Sequence, residues 1–147
     1  MRCLLRKKLN LLIMILILFS DYTSANALKL TITPKQDLHA GRVNDGAELA
    51  TIHVSGMSDS CVLNVWIDPP SQETNPGHYI LTGLNKTGDG LNVRLTGDNV
   101  KPDSRSGKGV LIALPSRLTT LNLLINGDQL IESSIFTMQA SAQCLNQ

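Results

Sequence analysis

Short runs in which apolar and polar residues alternate with period two recur at roughly ten-residue intervals along most of this 147-residue chain. Side chains of a strand point to opposite faces in turn, so each run makes one apolar face. Leu28-Lys29-Leu30-Thr31-Ile32-Thr33 aligns Leu28, Leu30 and Ile32 before Pro34 stops it, and Ala50-Thr51-Ile52-His53-Val54 aligns Ile52 and Val54. Cys61 to Ile67 is apolar on both faces apart from Asn64 and ends at Pro69-Pro70. Tyr79 to Thr82, Leu91 to Thr96, Val110 to Leu114 and Leu121 to Ile125 repeat the habit. The last run, Ile135 to Cys144, sets Phe136, Met138, Ala140, Ala142 and Cys144 on one face.

Turn formers separate the runs: Asn44-Asp45-Gly46, Asn75-Pro76-Gly77, Gly88-Asp89-Gly90, Gly97-Asp98-Asn99 and Asn126-Gly127-Asp128. Asn-Gly and Asp-Gly supply the positive φ that tight hairpins need. Beyond residue 27 no stretch carries a sustained 3.6-residue stripe. The pattern predicts an all-β chain, an immunoglobulin-like β-sandwich of seven or eight short strands. Trp66 is expected in the core on a central strand, and Lys101 to Gly109 as an exposed polar loop. The last apolar run stops three residues before Gln147. That placement raises the expectation of a sandwich missing its final strand, which another protein would supply.

The first 27 residues read as a secretory signal peptide. Arg2, Arg6, Lys7 and Lys8 form a basic region, Leu9 to Phe19 an apolar one broken only by Asn10, and Ser24-Ala25-Asn26-Ala27 a small-x-small cleavage pattern. The apolar run is about half the roughly 20 residues that span a bilayer as a helix. Residues 28–147 are then one domain. Loss of those four cations and of Asp21 takes the formal net charge from +1 to about −2, so no basic face argues for nucleic acid. Cys3 leaves with the leader, and export to an oxidising compartment makes a Cys61–Cys144 disulfide the default expectation.

Chemistry-bearing patterns are missing. His39, His53 and His78 lack metal-ligand spacing. Gly107-Lys108 is followed by Gly109 where a phosphate loop needs Ser or Thr, and Gly56-Met57-Ser58-Asp59-Ser60 lacks the last glycine of a nucleophile elbow. Asn85-Lys86-Thr87 is a glycosylation sequon only in a glycosylating host. Neither an enzyme, a cofactor nor a metal is expected.

Several strings occur in a familiar order: Asp45-Gly46-Ala47-Glu48-Leu49-Ala50-Thr51, Val65-Trp66-Ile67-Asp68, Gly88-Asp89-Gly90, Gly107-Lys108-Gly109-Val110, Asn126-Gly127-Asp128-Gln129 and the terminal Phe136 to Cys144. Across essentially all of residues 28–147 the chain resembles the AfaD/DraD-type invasins, minor tip subunits of chaperone–usher fimbriae in Gram-negative bacteria. It departs from them at the first cysteine, which in that family lies within the second strand; Ala50 to Val54 has none, and Cys61 opens the next segment.

The resemblance implies an immunoglobulin-like sandwich completed by donor-strand complementation. A periplasmic chaperone would lend a strand first. At the outer-membrane usher, the N-terminal donor strand of the adjacent subunit would replace it, and the assembled tip would meet a host-cell receptor. The expected acceptor groove is lined by Leu28, Leu30 and Ile32 on the first strand and Phe136, Met138, Ala140 and Ala142 on the last. Because the alternation begins at Leu28, no donor segment is expected ahead of it, which suits a tip position. Two other readings stay open: a structural or major pilin, and a self-contained secreted β-sandwich that binds a ligand or inhibits an enzyme.

Overall fold

Backbone hydrogen bonding sorts the described residues into twelve short strands. The computed structural model describes residues 28–36, 39–84, 90–113 and 115–145. The predicted leader, the Asn85-Lys86-Thr87 sequon and Leu114 lie outside the described residues. The strands are β1 (Lys29–Pro34), β2 (Gly41–Val43), β3 (Glu48–Ser55), β4 (Val62–Ile67), β5 (Gln72–Asn75), β6 (His78–Leu81), β7 (Leu91–Thr96), β8 (Val100–Pro102), β9 (Val110–Ile112), β10 (Leu118–Ile125), β11 (Gln129–Ile131) and β12 (Ala140–Leu145). A six-stranded sheet runs β1-β3-β10-β7-β6-β5, a four-stranded sheet β12-β4-β9-β8, and β2 and β11 form a separate ribbon. Every pairing is antiparallel.

The alternating rows meet between the two large sheets. Ile52 and Val54 of β3, Val93 of β7 and Leu121, Leu123 and Ile125 of β10 face Leu63 and Val65 of β4 in a dry core. Fully burying each such side chain stabilises the fold by about 1.5–3 kcal/mol. A register shift at Leu123/Leu124 opposes Ala50 and then Glu48, so Leu49 is an extra residue in β3 and both Leu49 and Ala50 turn inward.

Three sequence expectations change. Trp66 is half-buried and stands on the outer face of β4, because Leu63, Val65 and Ile67 take the inward positions. Its ring lies under Lys108 Nζ, 4.3 Å from the centroid. The 101–109 stretch begins as an edge strand, β8, and then folds over Asn64 (2% exposed). The Asn64 amide donates to the carbonyls of Lys108 (3.1 Å) and Val110 (3.3 Å). Within the loop Asp103 (4% exposed) accepts from the amides of Arg105 and Ser106 and from the Ser106 hydroxyl. These bonds, the Ser106 hydroxyl first, hold its carboxyl below the ordinary value of 3.8 against the opposing effect of burial.

The last run is a strand only from Ala140. Asp68 donates its amide to Gln139 O (2.8 Å), and Pro69-Pro70 then offer no amide to continue the ladder. Residues 135–138 cross instead toward the other sheet, where Phe136 bridges Gly83. The period-two burial of Phe136 and Met138 survives without a ladder.

One side of the sandwich is closed by a carboxylate. Glu73 Oε1 on β5 accepts from Gly77 N (3.0 Å) and from Gly109 N (2.6 Å), tying the six-stranded sheet to the start of β9. Gly77 packs against Val110, with no room for a Cβ. At the ribbon, Arg94 donates to Asp45 (2.6 Å), to Ile125 O and to Asn126 Oδ1, while Gly127 N donates to Asp45 (2.8 Å).

Gly107 and Gly109 share a φ of +70°, but a Cβ on Gly107 meets nothing within 4 Å and one on Gly109 would strike Val65 O. Gly107→Ala should cost about 1 kcal/mol of stability and Gly109→Ala roughly 1–3 kcal/mol more, read as the difference in urea midpoints. For Asp103 the folded value is the lower one, so its stabilisation is complete above pH 3.8 and is lost as pH falls through the folded value. The stability gap between wild type and Asp103→Asn should therefore hold constant near neutrality and shrink on acidification below about pH 4.

Candidate functional site

Among the described residues the opposite side of the sandwich has no counterpart to Glu73. β1 is the last strand of one sheet and β12 of the other, and each pairs on one edge only, β1 with β3 and β12 with β4. Their Cα traces come within 8 Å of each other without forming a ladder. Two rows of backbone donors and acceptors thus face one seam.

Apolar side chains line it. Leu28 and, on β1, Leu30 and Ile32 are half-buried, as are Phe136, Met138 and, on β12, Ala140 and Ala142; all seven pack against the core. The inward residues of β3 one strand away, Ile52 and Val54, are sealed completely. The difference is one of layer: β3 has a neighbour on each edge and a sheet opposite, whereas β1 and β12 each have a neighbour on one edge only. Ala140 and Ala142 leave the β12 wall low.

At one end the seam deepens into a cavity of about 590 Å³, bounded by Ile32, Leu49, Ala50, Leu123, Phe136 and Met138 among others. The structure therefore brings Ile32, Phe136 and Met138 together around a hollow and places Leu28, Leu30, Ala140 and Ala142 outside its lining. Sequence reasoning missed the floor. Leu49 and Ala50 reach it through the bulge in β3, and a bulge leaves no fixed mark in the residue pattern.

Cys61 and Cys144 are disulfide-bonded, their Cα atoms 5.1 Å apart. Cys144 pairs opposite Leu63, and Cys61 directly precedes β4, so the bond lies within the four-stranded sheet and fastens the far end of the β12 wall to its one neighbour. Among the described residues no three His, Cys, Asp or Glu side chains gather as a metal site. His53 meets Thr120 Oγ1 (3.1 Å) and His78 meets Pro76 O (3.4 Å), well apart in the fold.

The bond closes a loop of 83 positions. Replacing both cysteines by alanine should lower unfolding free energy by about 2–5 kcal/mol, and hydrogen exchange should rise first at Ala142 to Leu145.

Comparison with known proteins agrees with this geometry. The sequence model of the Enterobacteria AfaD invasin protein matches residues 39–142. That span contains β2 to β11 and the start of β12 and leaves out β1 and Cys144. No curated protein matches the sequence. Among solved structures, the Salmonella SafD adhesin superposes with a TM-score of 0.74 at 25% identity, covering 81% of this chain and 84% of that one. The minor tip subunit HdaB of the E. coli Hda pilus gives 0.72 at 18% identity, with 82% and 84% covered. AggB, the minor subunit of E. coli aggregative adherence fimbriae type I, gives 0.68 at 21% identity, with 81% and 85% covered.

Proposed function

The chain belongs to the Enterobacteria AfaD invasin family, and on that footing we propose that it is the tip-located adhesin or invasin subunit of a chaperone–usher fimbria. It would be carried to the surface of a Gram-negative bacterium for attachment to, or invasion of, host cells. Residues 1–27 act as the export signal, and 28–147 are the tip domain. A single observation carries the reading: one long side of the sandwich is closed by Glu73, and the other is an open, apolar-lined seam between two unpaired strand edges.

An extended segment laid in the seam would hydrogen-bond to both edges and set alternate apolar side chains on Leu30, Ile32, Ala140 and Ala142, which is β-augmentation. An apolar edge of this kind invites self-association when left empty, so a partner must hold it during export. The chaperone does so in the periplasm, and the N-terminal donor strand of the adjacent subunit replaces it at the usher. β1 is itself engaged with β3 over six residues and so does not serve as a donor.

The test is to graft an alternating apolar segment after Gln147. Covering the seam should raise the melting temperature of the exported chain by roughly 10 °C or more, and the same residues with their alternation shifted by one should give nothing. An ungrafted chain that is already monomeric, cooperative and unimproved by the graft would refute the open seam. Cell binding of the grafted protein then separates an adhesin from a capping subunit.

A further inference from the structure

We infer that Asp68 is a positioning residue for strand capture, a bolt that keeps the β12 wall formed while its outer edge is empty. The inference rests on the seam being an acceptor for a strand. β12 is held by β4 alone along one edge, and a six-residue strand with one neighbour frays from its ends. The disulfide at Cys144 secures one end. At the other end, Asp68 makes three contacts with separate partners. Its amide adds a rung to the ladder by donating to Gln139 O (2.8 Å), its Oδ2 accepts from Ser141 Oγ (2.5 Å), and its Oδ1 accepts from Trp66 Nε1 (2.9 Å). Trp66 is in turn weighted down by Lys108 across its ring.

All of this chemistry lies on the solvent face. Ser141 pairs opposite Trp66, and both point away from the inward row of Ala140 and Ala142. The bolt therefore touches no residue that an incoming strand would touch. Its effect falls on the empty state: a β12 fixed at both ends presents its free amides and carbonyls in register, so a strand arriving does not have to order the wall as well. Once a strand is seated, β12 has neighbours on both edges and no longer depends on the bolt.

The experiment follows uptake of a synthetic alternating apolar peptide by the oxidised chain, with Ser141→Ala, Asp68→Asn, Ser141→Thr and, on the same face, Gln143→Ala. Loss of the hydroxyl or of the carboxylate should slow association roughly ten- to a hundredfold, the scale of one hydrogen bond to a charged group, and leave dissociation unchanged. Hydrogen exchange at residues 140–143 should rise in the empty protein and match wild type in the filled one. Ser141→Thr should restore the rate, and Gln143→Ala should not alter it. Equal loss in the empty and filled states, or unchanged association in both bolt variants, overturns the inference while the seam stands. Failure of the wild-type chain to take up any such peptide overturns the seam and the bolt together.

Discussion

A strand has two hydrogen-bonding edges, and along this side of the sandwich β1 and β12 each use only one. Water can satisfy the free amides and carbonyls of β1 and β12, so the unpaired backbone by itself is tolerable. The apolar rows beneath it are not so easily placed: Leu30, Ile32, Ala140 and Ala142 are covered on the core side and open on the other. At about 25 cal/mol per Å², each 100 Å² left wet forgoes about 2.5 kcal/mol, a sizeable part of the 5–15 kcal/mol that holds a domain together. Elsewhere the same problem is solved internally. On the β5 side the Glu73 carboxylate reaches from one sheet to an amide of the other. That closure needs one acidic side chain facing two glycine amides, and the seam holds nothing of the sort.

An open seam would be of little use if its walls collapsed onto each other or melted. β1 is held along its whole length by β3, and β3 is central to its sheet. β12 is likewise paired with β4 over its six residues, and Pro69-Pro70 end that ladder just past Asp68. A covalent bond and polar contacts add to that pairing at its two ends, with the disulfide at Cys144 and the Asp68 contacts at Gln139 and Ser141. Both act on the outside or at the end of the wall and leave the inward row of small side chains free.

Much of the scaffold could be read from alternation. Leu91 to Thr96 matches β7 residue for residue, and β1, β3, β4 and β6 lie within two residues of the expected runs. The short strands β2, β5, β8 and β11 escaped because each carries at most two apolar side chains, whereas the equally short β6 and β9 carry three. Trp66 was misplaced because the Cys61 to Ile67 run is apolar on both faces, so hydrophobicity alone could not tell which face looks inward; the outward one is covered by the Asp103 loop and Lys108. The seam residues were visible as rows, but that a row is half-covered is a property of what lies opposite. Leu28, Leu30 and Ile32 alternate no differently from Ile52 and Val54, and only the assembled sheets distinguish them.

The family pattern stops short of one wall. It spans residues 39–142, while β1 is residues 29–34. Structures at 18–25% identity nevertheless superpose over four fifths of the chain. Both facts are what the proposed strand acceptor would lead one to expect. Its hydrogen bonds come from backbone, which every residue supplies, and its side chains need only be apolar at alternate positions and of roughly the right volume. Such a requirement tolerates wide sequence drift along the walls. What this chain does in particular lies at the turns that take positive φ, such as Gly46 and Gly127, and at the polar contacts that fasten them, such as Asp45 with Arg94. The turn strings by which the sequence resembles its family mark those fastenings. The groove proposed between β1 and β12 is defined mainly by register.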